Sequence, residues 1–434
     1  MSSPAIPASS GLTPARVRFA LLALALGGFG IGCTEFVIIG LLPTVAADLL
    51  PGVYAASAEQ ANSQAGWLIS AYALGVVVGA PTIVPFAARF SRKRLLLAFA
   101  AWFVLATLLS AVLPTFGLVL FARFLAALPH GAYFGVAALV AAELMGPGNR
   151  GRGTAYVLGG LTIANVIGVP AITWLGQAAD WRVAYVAVAS VFALTLVMIA
   201  IAVPSMQGNP HSTVRGELSA FARPQVWFAL ATGAVGFGGL FAAYTYVAPM
   251  VTEVTGLGAA VVPIVLIVFG LGMTGGNLFG GWFVDRGVKR AVIVFFVAIV
   301  VSLVFLLLFV ANPAGLFIGV FFVGASAAAL SPAIQVRLMD VAGDSQTIAA
   351  AVNHSALNLG NSLGAFLGGL TIAAGLGYTS PIAAGIVLSI LGIAIAVLSF
   401  GMERRGRRAS TELPQPPRSA PVSTSAGTTA GSAE

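Results

Sequence analysis

The chain has 434 residues, of which 59% are apolar and only 8% charged, with a formal net charge of +8. A mean hydropathy of +1.00 is far more than a soluble core needs, which excludes an ordinary soluble globule. A lone cysteine, Cys33, excludes an intramolecular disulfide and, inside an apolar run, reads as a small packing residue.

A hydrocarbon core about 30 Å thick is crossed by roughly 20 apolar residues in a helix. Such segments are predicted over 19–45, 65–88, 95–113, 116–142, 154–176 and 183–203, and again over 226–251, 259–284, 291–310, 313–336, 347–374 and 379–401. The fold class is therefore an all-α polytopic membrane protein. The first segment is too long for a secretory signal and carries Glu35, so it is read as a span that is not cleaved. Residues 1–15 and the basic, then Pro/Ser/Thr-rich tail 403–434 are expected to be disordered, because neither can bury enough apolar surface.

Lys and Arg in short loops stay in the cytoplasm. With the N-terminus inside, 19 of the 21 basic residues are cytoplasmic, leaving Arg182 outside and Arg123 within a span. Both termini are accordingly expected in the cytoplasm, in a multi-pass protein of the inner membrane. The positive charge then reports topology, and no nucleic-acid partner is expected.

An internal repeat organises the chain. Arg92-Lys93 after the second span and Lys289-Arg290 after the eighth are 197 residues apart, and Asn165 and Gly168 match Asn361 and Gly364 at an offset of 196. Two six-span halves, 16–203 and 224–402, are therefore expected around a cytoplasmic linker at 204–223. Parallel repeats of this kind hold substrate near the midplane between the halves.

Ionisable groups inside the spans are few. Glu35, in Gly32-Cys33-Thr34-Glu35-Phe36, would cost on the order of 2.5–3.5 kcal/mol facing lipid, so it is placed toward the protein interior. A carboxyl at that depth can gain or lose a proton on a modest change of access, which suits proton coupling. Arg123 on the fourth span lies at a matching depth, which makes an ion pair or shared water network with Glu35 possible; its other reading is a static partner that neutralises Glu35 or bonds to carbonyls. His130 shares a helix face with Arg123 and could bind substrate, relay a proton or simply pack. Asn353, His354, Asn358 and Asn361, with Asn165, are candidates for substrate hydrogen bonds or for interhelical ones. Tyr72, Tyr133, Phe134, Phe237, Phe241, Tyr244 and Tyr246 could frame a cavity or pack, with Tyr133 and Tyr244 taken as substrate contacts. Asp48, Glu143, Glu253, Asp340 and Asp344 fall at span ends and are assigned no chemistry.

Several motifs carry a family resemblance over residues 18–402. Gly281-Trp-Phe-Val-Asp285-Arg286-Gly-Val-Lys289-Arg290 resembles the major facilitator loop motif, and Ala88-Arg89-Phe-Ser-Arg92-Lys93 is its first-half counterpart with Ala88 in place of the usual aspartate. The resemblance implies that Arg89, Arg92, Lys93, Asp285, Arg286, Lys289 and Arg290 gate the conformational change. Asn165-Val-Ile-Gly168-Val-Pro170 is similar to the family's antiporter motif, with Gly168 and Pro170 supplying close packing and a bend. Thr34 to Pro43, Gly79-Ala80-Pro81, Pro129 to Gly135 and Asn358 to Gly364 are similar to the drug:proton antiporter branch, above all chloramphenicol exporters, with arabinose and purine nucleoside exporters nearby. The resemblance implies twelve spans in two pseudo-symmetric halves, first and fourth spans lining the cavity, and Arg123 joining Glu35 in proton transfer. The expected function is proton-coupled export of a small neutral amphiphile by a monomer without cofactor or metal, driven by the proton gradient, with lipid, protons and substrate as its partners. Export of a metabolite such as a sugar or nucleoside is the alternative; a membrane-embedded enzyme is remote, since the spans hold one carboxylate and two separated histidines, and so is a channel, since paired six-span halves with an antiporter-like kink are built for occlusion.

Overall fold

In a computed structural model, which describes residues 12–87, 90–146, 150–207, 223–342 and 346–411, twelve helices among the described residues are long and apolar enough to cross a membrane. They are α1 Pro14–Leu49, α2 Ala58–Ile83, α3 Arg92–Val112, α4 Phe116–Met145, α5 Ala155–Ala178 and α6 Trp181–Ala202. The second set is α7 Pro224–Val254, α8 Ala259–Val284, α9 Val288–Phe309, α10 Pro313–Ala342, α11 Val352–Ala373 and α12 Ser380–Arg404. Helices satisfy every backbone group internally, which the bilayer demands. Their outward faces are apolar: Leu278, Leu308 and Val112 are more than 60% exposed, as suits lipid contact.

Local chemistry sets the ends. Pro14, Pro224 and Pro313 open α1, α7 and α10, where a missing N–H is harmless. Thr13 caps α1, and the Asp180 side chain accepts from the Arg182 N–H at 2.7 Å to cap α6. Two ends differ from expectation. The first helix already begins at Pro14, inside the stretch expected to be disordered, and the last continues past residue 403 to Thr411. Leading proline and trailing helix formers extend both helices beyond the apolar runs that marked them.

The two halves repeat in their packing as well as in sequence. On α2, a Cβ at Gly75 would meet the Phe124 carbonyl and one at Gly79 the Leu128 carbonyl; on α8, Gly272 and Gly276 stand in the same relation to Phe321 and Ala325 of α10. All four pairs of positions are related by the offset of 197 residues read from the loops. Close backbone approach of this kind drives helix association where lipid removes the hydrophobic force.

Between the halves, α11 packs along α2 and α8 along α5. Every hydrogen bond joining them among the described residues lies between the midplane and the end opposite the basic loops. Asn62 Nδ2 donates to the Tyr378 hydroxyl at 2.8 Å, Ser63 Oγ to the Gly369 carbonyl at 2.7 Å, Ser70 Oγ to the Ser362 carbonyl at 3.1 Å and Gln177 Nε2 to the Ala259 carbonyl at 3.1 Å. That end is sealed by neutral groups.

Candidate functional site: a polar and aromatic centre between the halves

Helix α1 is the axis of the site, because every residue from Gly30 to Leu42 is buried. Glu35 is 6% exposed at its middle. Arg123 of α4 is fully buried beside it, donating from Nη1 to the Thr34 carbonyl at 2.6 Å and to Thr34 Oγ1 at 3.2 Å, and from Nη2 to the Glu35 carbonyl at 3.4 Å. The guanidinium lies over the Tyr72 ring at 4.3 Å and near the Tyr185 ring at 5.6 Å. Glu35 and Arg123 are thus neighbours, but the arginine's N–H groups end on α1 backbone and a threonine hydroxyl. Its positive charge attracts the Glu35 carboxylate without a direct hydrogen bond to it.

From the other half, α11 presents His354, Asn358 and Asn361 at helical spacing along one face. Asn361 is 1% exposed, and neither of its side-chain polar atoms has a hydrogen-bond partner. Its amide lies toward the Glu35 carboxyl, short of a well-formed hydrogen bond. Asn358 Nδ2 donates to the His354 carbonyl at 3.1 Å, which leaves its Oδ1 free, and Asn353 Oδ1 is also unpartnered. The His354 ring is parallel to Phe134 of α4 with centroids 5.7 Å apart. His130 approaches Phe134 at 5.3 Å and its Nδ1 lies 3.3 Å from the Tyr72 hydroxyl. Pro129 breaks α4 into Phe116–Ala127 and His130–Met145 just there, so His130 starts a new helical segment beside the site. Phe36, next to Glu35, meets Phe241 at 6.3 Å and Tyr244 at 6.4 Å on α7, and Tyr244 stacks on Phe269 of α8 at 3.7 Å.

Other candidates lie elsewhere. Tyr133 points into the first half, its hydroxyl donating to the Leu24 carbonyl at 3.0 Å, so it packs α4 on α1 instead of facing the other half. Asn165 turns its Nδ2 back to the Leu161 carbonyl at 3.2 Å, while its own carbonyl abuts Gly270 of α8. Ahead of Pro170, Ala164–Gly168 form a π-helical turn, and Gly168 admits Cys33 and Phe29 of α1 against it. The helix thus widens over one turn immediately ahead of the proline.

Among the proposed gating residues, Arg92 pairs with Glu143 at 2.5 Å and Lys93 donates to the Ala200 carbonyl at 2.7 Å, both within the first half. Arg286 bonds to the Trp282 carbonyl at 2.9 Å and lies on that ring, while Asp285 and Arg290 are exposed and Asp285 makes no ion pair among the described residues. Arg89 lies outside the described residues. In the second half the carboxylate that gathers cations is Glu403 on α12, 2.9 Å from both Lys289 and Arg337. Glu143 and Asp48, assigned no chemistry from sequence, are both ion-pair partners, the latter of Arg182. Sequence reasoning also missed Glu403, Thr34, Phe36, Tyr185 and Phe269 as partners, since only the fold shows what faces them.

The sequence model of the Major Facilitator Superfamily matches residues 24–343 and again 253–429. The chain belongs to the major facilitator superfamily. As a major facilitator it is a transporter of small molecules and not an enzyme. It is 36% identical over 384 residues to the inner membrane transport protein YdhP of Escherichia coli, spanning 88% of this chain and 96% of the relative. It is 31% identical over 375 residues to a chloramphenicol resistance protein of Streptomyces lividans, spanning 85% and 93%. Its fold matches the crystal structure of a D-xylose-proton symporter with a TM-score of 0.69 at 16% identity, over 87% of this chain and 97% of that one.

Proposed function

We propose that this major facilitator exports a small, neutral amphiphile of the chloramphenicol type across the inner membrane in exchange for protons, as a monomer with both termini in the cytoplasm. The observation that carries the reading is Glu35, the carboxylate buried at the centre of α1, within reach of Arg123 from its own half and Asn361 from the other. One acid, one arginine and a surround of aromatic and amide groups suit an uncharged substrate, because a charged one would need a surplus of opposite charge. Similarity to an inner membrane transport protein and to a chloramphenicol resistance protein supports the location and the substrate class.

The cycle is alternating access. In this reading the end joined by Asn62, Ser63 and Gln177 faces outside, and substrate enters from the end that carries the basic loops. Outward-facing, Glu35 takes a proton as substrate leaves; inward-facing, it releases the proton and the site accepts substrate again. One proton entering per neutral substrate draws about 2.3 kcal/mol per 100 mV of membrane potential, sufficient for concentrative export. Glu35→Gln is expected to abolish drug-driven proton release in proteoliposomes. Release at the wild-type rate would remove Glu35 from the mechanism.

A metabolite such as a sugar or nucleoside is the second reading, favoured by the unpartnered amide atoms of Asn353, Asn358 and Asn361, which could bond to hydroxyl groups. Accumulation assays in an efflux-deficient bacterium, with phenicols and nucleosides and with and without an uncoupler, separate the two.

A further inference from the structure

Trp102 stands where a membrane protein rarely puts a tryptophan. It lies at the middle of α3, Arg92–Val112, and is 43% exposed, as lipid-facing residues are. Tryptophan is enriched instead at the membrane–water interface, because its indole N–H needs a partner that hydrocarbon cannot give. Here the partner is backbone: Trp102 Nε1 donates to the Leu125 carbonyl of α4 at 2.8 Å. In an unbroken helix that carbonyl would accept from the N–H four residues on, but residue 129 is a proline and has none. The Leu128 N–H reaches back to it at 3.2 Å in a tightened turn. A carbonyl freed inside a bilayer has to be satisfied by its surroundings, and Trp102 does so from the neighbouring helix.

The second half lacks both parts of this arrangement. At the repeat offset of 197, Leu125, Pro129 and Trp102 correspond to Phe322, Ser326 and Ile299. Ser326 keeps the N–H that a proline lacks, α10 runs through this position as one helix with its own proline further on at Pro332, and the buried Ile299 has no donor to offer. Proline and indole thus occur together in one half and are missing together from the matching positions of the other. The break matters to the site because its two sides meet on one ring. From the segment before it, the Arg123 guanidinium lies over the Tyr72 ring at 4.3 Å; from the segment after it, His130 Nδ1 lies 3.3 Å from the Tyr72 hydroxyl.

We propose that Trp102 is a positioning residue: from the lipid face its N–H holds the carbonyl that Pro129 frees, and so fixes the break in α4 at the angle that brings Arg123 and His130 together on Tyr72. Its effect on transport rests on the reading of Glu35 and Arg123 as the proton-coupling pair; its effect on His130 does not.

The test replaces Trp102 in the full-length protein with phenylalanine and with 3-benzothienylalanine, which keeps the ring shape and exchanges the N–H for sulfur. Two quantities are read: the ring ¹⁵N resonances of the chain's three histidines, by solid-state NMR in lipid bilayers with His130 assigned through His130→Gln, and chloramphenicol-driven proton release in proteoliposomes. Both variants are expected to displace the His130 Nδ1 resonance and to lower proton release by about 3–20-fold, the range of one interhelical hydrogen bond in a bilayer. Trp174→Phe, which removes a side chain 62% exposed on α5, should alter neither. Pro129→Ala returns an N–H to the helix for the Leu125 carbonyl, so in that background exchanging Trp102 should add nothing further. Where the phenylalanine variant does not fold, the benzothienyl variant, equal in shape, carries the test. A wild-type His130 resonance in the benzothienyl variant overturns the positioning, as does a Trp102 effect that persists at full size beside Pro129→Ala. A displaced resonance with undiminished proton release overturns its part in transport. A wild type without drug-driven proton release would instead strike the export reading and leave the positioning to be decided by the resonance.

Discussion

Replacing Arg123 with methionine removes a buried cation while keeping most of the side-chain volume. With the guanidinium go a charge-assisted bond to the Thr34 carbonyl at 2.6 Å, a second to its hydroxyl at 3.2 Å and a marginal one to the Glu35 carbonyl at 3.4 Å. A hydrogen bond to a charged group contributes about 1.5–3 kcal/mol, and stranding a buried charge costs about 3–5 kcal/mol. The first part is independent of Glu35. The second applies only while Glu35 is ionised, because a neutral carboxyl needs no cation. Arg123→Met is therefore expected to be destabilised at every pH and more strongly at alkaline than at acidic pH. In a Glu35→Gln background the pH-dependent part should vanish. Apparent melting temperatures of the wild type, both single variants and the double variant, taken across pH in one detergent, read this directly. A loss of the same size at acidic and alkaline pH, unchanged by Glu35→Gln, would refute the electrostatic link between the two residues.

Three further outcomes are expected. Gly276→Ala should destabilise by roughly 2 kcal/mol or more, since its Cβ would collide with the Ala325 backbone, whereas Gly275→Ala, with nothing within 4 Å, should be neutral in the same melting assay. Glu403→Gln removes the carboxylate charge beside Arg337, 5% exposed, and leaves it among neutral groups such as Gln225 and Ser399, so a loss of about 1–3 kcal/mol is expected, partly relieved in Arg337→Met. Tyr378→Phe strands the Asn62 amide at the sealed end, so the open state there should gain about 1–3 kcal/mol, seen as faster hydrogen exchange in the first turns of α2 and the last of α11.

The fold was legible because the bilayer imposes it. Apolar length marks spans, and the repeat at 197 residues, seen first in Arg92-Lys93 and Lys289-Arg290, reappears in Gly75 and Gly79 against Gly272 and Gly276. Glu35, Arg123 and the α11 amides were legible for the same reason, since polar groups in apolar spans are conspicuous. Side-chain direction was not. Tyr133 and Phe134 are neighbours in sequence, yet one packs inside its half and the other meets His354, because successive helical residues point about 100° apart and the break at Pro129 resets the phase. Aromatic partners such as Phe36 and Phe269 were hidden among 28 phenylalanines, most of which pack or face lipid.

The placement of Arg123 bears on where state-dependence in the proposed coupling arises. Arg123 and Glu35 belong to the same half, and the arginine is bonded to the α1 backbone next to the acid. Rigid rocking of one half against the other leaves that pair, and Tyr72 and Tyr185 around it, essentially as they are. Its attraction for the Glu35 carboxylate is then a constant of the cycle and cannot itself signal which way the site faces. What rocking does change is the approach of α11 from the other half. Asn361, with both polar atoms unpartnered, can offer an N–H to a carboxylate or a carbonyl to a carboxyl, and it is withdrawn or advanced with its helix. In the proposed cycle, then, Arg123 is the fixed charge beside Glu35 and α11 the moving partner. Replacing Asn361 should therefore disturb the link between proton movement and transport more than it disturbs folding.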